Sequence, residues 1–109
     1  MAHKFILLTK TTSLAVSVHN LLKTLKPNGK FMKNQIERSV SSVVLNISEG
    51  NGRFGKDRKY HFTVALGSLK ETESALNLLH QYGEIELSKE LEKLIDECTA
   101  ILWTLIHKR

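Results

Sequence analysis

With 109 residues, 41% hydrophobic and 25% charged, the chain has the composition of one folded domain and not that of a disordered segment. Its one cysteine, Cys98, excludes an internal disulfide and a Cys-rich metal site. No stretch, the apolar run Phe5–Leu8 included, reaches the length of a signal-peptide core or a membrane span, so a cytoplasmic protein is expected.

Four segments carry apolar residues at helical spacing, and the breakers fall between them, which predicts an all-α fold with helices over about 4–26, 31–49, 56–82 and 88–108 in a single domain, 1–109. In the first, Leu7, Leu14, Val18, Leu21 and Leu25 form one stripe, widened by Leu8, Ala15 and Leu22. Pro27-Asn28-Gly29 ends it, since proline lacks a backbone donor and glycine favours a turn. In the second, Met32, Ile36, Val40, Val43 and Ile47 step by three or four. Its second half is rich in serine and valine, so it depends on packing more than on propensity. Gly50 stands where a left-handed residue would end this helix.

The third segment places Phe62, Ala65, Leu69, Leu76 and Leu79 inward, and Gly83 stops it. Ser88 is the expected N-cap of the fourth, where Leu87, Leu91, Leu94, Cys98, Ile101 and Leu105 repeat at steps of four and three. Ile95, Leu102, Trp103 and Ile106 are apolar as well, which leaves the last turns hydrophobic over most of their circumference. Burying a large side chain stabilises by roughly 1.5–3 kcal/mol, so these four are expected at an interface with another subunit. The alternative is that the third helix wraps around them. Short connections favour an antiparallel up-down-up-down four-helix bundle.

The net charge of +5 is unevenly spread, with 11 Lys/Arg against 3 Asp/Glu over residues 1–60 and 5 against 8 over residues 61–109. Such a split suits an anionic partner, or complementary faces that meet in an assembly. In an up-down bundle Lys4, Arg53, Lys56, Arg58, Lys59, Lys108 and Arg109 gather at one pole. Lys108 and Arg109 suit a helix C-terminus, but the 53–59 cluster begins a helix, where positive charge is unfavourable. RNA or DNA is therefore the expected partner of that pole, through phosphate contacts.

Chemistry is not indicated. The glycine-rich loop 50–55 lacks the Lys-Ser/Thr ending and the preceding strand of a P-loop. The five histidines are scattered, no metal-ligand spacing occurs, and no nucleophile has a neighbouring base. A non-enzymatic protein without cofactor or metal is expected, and Cys98 reads as a small core residue.

The stretch Ile47-Ser48-Glu49-Gly50-Asn51-Gly52-Arg53, with Ala65-Leu66-Gly67-Ser68-Leu69-Lys70-Glu71-Thr72-Glu73, resembles the four-helix-bundle family encoded in 23S rRNA intervening sequences. That family is related to the accessory variability proteins of diversity-generating retroelements. The resemblance implies a ring-like homopentamer and, for the retroelement relatives, a basic surface that engages a reverse transcriptase and nucleic acid. It implies no catalytic residues. Glu49, Gly50, Gly52, Arg53, Gly67, Ser68 and Glu71 match its motif and are expected to fix the turn and the helix contacts. Two functions follow as expectations: an oligomeric nucleic-acid-binding or reverse-transcriptase accessory protein, or a protein-protein scaffold whose charge serves assembly.

Overall fold

The computed structural model describes residues 2–108, with side chains from residue 6 onward. It is all-helical: α1 (Ala2–Leu22), a short 3-10 helix (Pro27–Met32), α2 (Lys33–Asn51), α3 (Gly55–Gln81) and α4 (Lys89–His107). Among the described residues there is no strand, and no helix is long and apolar enough to cross a membrane. Each α-helix packs on two others, α1 on α2 and α4, and α3 on α2 and α4, with the most extensive interface between α2 and α3.

Three of the four core stripes follow the apolar spacing closely. Leu7, Leu14, Val18, Leu22 and Leu25 are buried in and just after α1, with Leu22 rather than Leu21 inward. Thr11 completes the stripe without an unpaired hydroxyl, because its Oγ1 donates back to the Leu7 carbonyl at 2.9 Å. All five apolar positions expected of α2 are buried, and all five of α3.

The helix ends show why some boundaries move. The helical hydrogen bonding of α1 gives way after Leu22 to tighter i→i+3 bonds at residues 23–25, and the proline then opens the 3-10 helix at its first position. Gly83 ends α3 as expected. It has φ +76°, its N–H bonds the His80 carbonyl at 2.9 Å, and the Glu84 N–H bonds that of Leu79 at 2.9 Å, which together make a Schellman motif. The Ser88 side chain caps α4 by accepting from the Leu91 N–H at 3.1 Å.

Gly50 is a correction. It is not a left-handed terminator, for α2 runs through Asn51 to a C-cap at Gly52 with φ −91°. A methyl group at Gly50 would stand 2.7 Å from the Phe62 ring, so the missing side chain serves close packing of α3 on α2.

The fourth helix is a second correction. Its core stripe is Leu91, Ile95, Cys98, Leu102 and Ile106, while Leu87, Leu94, Ile101 and Leu105 are only half-buried. Ile95, Leu102 and Ile106 therefore lie inside the chain's own core and are not free for a second subunit. The two candidate stripes are adjacent on the helix surface and nearly equal in apolar character. Only the rotation of α4 against α1 and α3 chooses between them. Of the four residues expected at an interface, Trp103 alone is exposed.

Candidate functional site

The connection from α2 to α3 is built from its own backbone outward. The Gly52 N–H bonds the Glu49 carbonyl and the Arg53 N–H that of Gly50, both at 3.1 Å, closing the last turn of α2. Gly55, at φ +57°, then turns the chain into α3. At its N-cap position stands Phe54, whose side chain supplies no capping bond.

Four cations occupy this connection and they differ in what holds them. Arg53 donates from Nη2 and Nε to Glu49 Oε2 at 2.8 and 3.0 Å. That pairing keeps the Glu49 carboxyl below its ordinary range, chiefly through the hydrogen bonds and then through the arginine's charge. Arg58 donates from Nε to the Arg53 carbonyl at 3.1 Å, which ties the first turn of α3 to the loop. Lys56 and Lys59 are exposed, and among the described residues no carboxylate lies within pairing distance of either. Phe54 is 84% exposed and Tyr60 64%.

Lys108 caps the other end of the chain. With Ala100, Ile101, Thr104 and Leu105 it lines an open, mainly apolar groove along α4. Trp103, on the same helix, stacks on His107 with ring centroids 3.9 Å apart. No hydrogen bond or ion pair among the described residues links Lys108 to the loop cluster. The Lys4 side chain and Arg109 lie outside the described residues.

Behind the loop, α2 and α3 are joined by a polar seam. Ser39 Oγ meets Thr72 Oγ1 at 2.7 Å, Ser42 Oγ meets Ser68 Oγ at 2.8 Å, and His61 Nδ1 meets Asn46 Oδ1 at 3.0 Å. Asn46 donates from Nδ2 to the Ser42 carbonyl at 2.9 Å, so its Oδ1 accepts and the His61 proton sits on Nδ1. Sequence reasoning did not find this seam. The signal was present, since residues 39, 42 and 46 on one helix and 61, 68 and 72 on the other share a face at helical spacing. Cys98, fully buried, has its thiol pushed up to about 11 by burial, which keeps it neutral and unreactive. Among the described residues no three His, Cys, Asp or Glu side chains gather as a metal site would require.

The model of the family described as "23S rRNA-intervening sequence protein" matches residues 3–107. The chain belongs to that family. A crystal structure from Bacteroides thetaiotaomicron, described as a protein of unknown function from the S23 ribosomal protein family, is 27% identical and superposes with a TM-score of 0.81 over 95% of this chain and 97% of that one. No curated protein matches the chain.

Among the motif residues of this 23S rRNA-intervening sequence protein, Glu49 and Arg53 pair, Gly50 receives Phe62, the Gly52 N–H closes the turn and Ser68 joins the seam. Gly67 and Glu71 do otherwise. Both are exposed, and a methyl group at Gly67 would meet nothing described within 4 Å.

Proposed function

We propose that this protein is a non-enzymatic, oligomeric nucleic-acid-binding protein whose contact surface is the Arg53–Tyr60 connection. One observation carries the reading: Lys56 and Lys59 stand exposed in the first two turns of α3, with no acidic partner among the described residues, and at Lys56 the helix dipole disfavours the charge. Charge without an acidic partner, one turn apart on one strip, does not serve the fold. Phosphates would neutralise it and release counterions.

The bundle is read as up-down-up-down and antiparallel. Supporting this, partner numbers fall along α3 as they rise along α2, in the order 39 with 72, 42 with 68 and 46 with 61. That arrangement brings the α2–α3 connection and Lys108 to one pole. Self-association would use the half-buried Ile101 and Leu105, which line an apolar groove the chain leaves open on α4. A ring of five, and an accessory role beside a reverse transcriptase, are what a resemblance to the retroelement proteins implies. A ring would repeat the basic connection around its rim and multiply the phosphates in reach.

The test is binding of a 20-nucleotide RNA and the matching DNA, followed by fluorescence anisotropy from about 50 to 200 mM salt. Replacing Arg53, Lys56, Arg58 and Lys59 by Gln is expected to weaken binding and to flatten the plot of log affinity against log salt by up to about 3, at roughly 0.7 per lost phosphate contact. Absence of binding by the unaltered protein at about 50 mM salt overturns the reading and leaves the protein-protein scaffold.

A further inference from the structure

We infer that the strand bound at this connection is single-stranded, and that Phe54 and Tyr60 stack on its unpaired bases. The inference rests on the reading that the 53–59 cluster binds nucleic acid, and it adds the class of substrate.

Phe54 goes against its local setting in two ways. It occupies the N-cap of α3, where Ser, Thr, Asp or Asn would satisfy an orphan N–H, and it supplies no such bond. It is also 84% exposed, with Gly55 at φ +57° turning the backbone beside it. Among the described residues no aromatic ring stacks on it, and it lies outside the buried core. Tyr60 lies six residues on, about 9 Å further along the helix axis, and is 64% exposed. It meets His61 at 77° rather than stacking on it.

Between and beside the two rings stand Arg53, Lys56, Arg58 and Lys59. Lys56 and Tyr60 are four apart and share a helix face, with Lys59 adjoining. Alternation of rings and cations is the pattern that holds a single strand, with phosphates on the charges and bases on the aromatic faces. A duplex hides its base faces in the stack and offers such rings nothing to stack on. Trp103, an exposed aromatic on α4, contrasts with them, because one of its faces is already covered by His107.

The experiment uses the full-length protein and four probes of equal length: single-stranded RNA, single-stranded DNA, a duplex, and an abasic strand that keeps the phosphates. Both base-bearing single strands are expected to bind more tightly than the duplex and the abasic strand. Phe54→Ala and Tyr60→Ala should each lower single-strand affinity by about tenfold with the salt slope unchanged, and should leave duplex affinity as it was. Phe54→Tyr and Tyr60→Phe should retain binding. Both positions are exposed, and an unchanged far-ultraviolet circular dichroism spectrum confirms that the variants fold. Equal affinity for the abasic strand, or alanine variants that bind as well as the parent while the four-Gln variant does not, overturns stacking and leaves the electrostatic reading intact. Loss of assembly in the alanine variants with single-strand affinity unchanged gives the rings to a second copy and overturns the proposal. Failure of the parent to bind any probe at about 50 mM salt removes both.

Discussion

The α2–α3 interface and the fourth helix are held by different physics. Between α2 and α3 the contact is close and partly polar. Gly50 admits the Phe62 ring, and Ser39, Ser42 and Asn46 are matched to Thr72, Ser68 and His61. Each buried hydroxyl needs its own partner, so a shift of one residue would leave several unsatisfied. α4 instead presents two apolar stripes side by side, buries one and leaves the other half-covered. Area holds it in place, and area is tolerant of rotation. The seam specifies a register, whereas α4 supplies stability and leaves one apolar stripe half-covered.

The largest expected effect lies on the α4 side. Leu102→Ala removes a fully buried side chain at the centre of the stripe and should cost about 2–5 kcal/mol in denaturant unfolding. A loss of only a few tenths would mean that Leu102 is not core and would restore it to an interface. Next comes the close contact on the seam side. Gly50→Ala drives a methyl group to 2.7 Å from the Phe62 ring and should cost about 1–3 kcal/mol. Gly67→Ala, which meets nothing described within 4 Å, is the control and should raise stability by about 0.5–1 kcal/mol. A Gly67→Ala variant that weakens assembly instead would place a partner chain against that face of α3.

A modest effect separates the two regions most cleanly. Thr72→Val leaves Ser39 with its Ile36 carbonyl bond alone and should cost about 1 kcal/mol. Adding Ser39→Ala should cost little more, a coupling of about 0.5–1.5 kcal/mol in a double-mutant cycle. Strict additivity would show that the hydroxyl pair does not act as a unit, and the contrast with α4 would lose its basis.

Much of this arrangement could be read before any coordinates. The order of four helices, the stop at Gly83, the Ser88 cap and the buried stripes of α2 and α3 follow from period, breakers and capping chemistry. The basic character of residues 53–59 was equally plain. What could not be read was how each cation is spent. Arg53 is engaged by Glu49 and Arg58 by a backbone carbonyl, so of these four cations Lys56 and Lys59 are the two with no ion pair or side-chain hydrogen bond among the described residues. Phe54 and Tyr60 fall on none of the apolar stripes of the chain, and both are exposed.

The sequence by itself determined which stretches are helical and which residues share a face, because spacing along a helix is a property of the chain alone. Tertiary structure decided how far each helix is turned about its own axis. That rotation depends on neighbours, and it buried Ile95, Leu102 and Ile106 in place of Leu94, Ile101 and Leu105. It also made Gly50 a contact for Phe62, since a glycine's value in packing comes from what approaches it, and no pattern in its own helix records that approach.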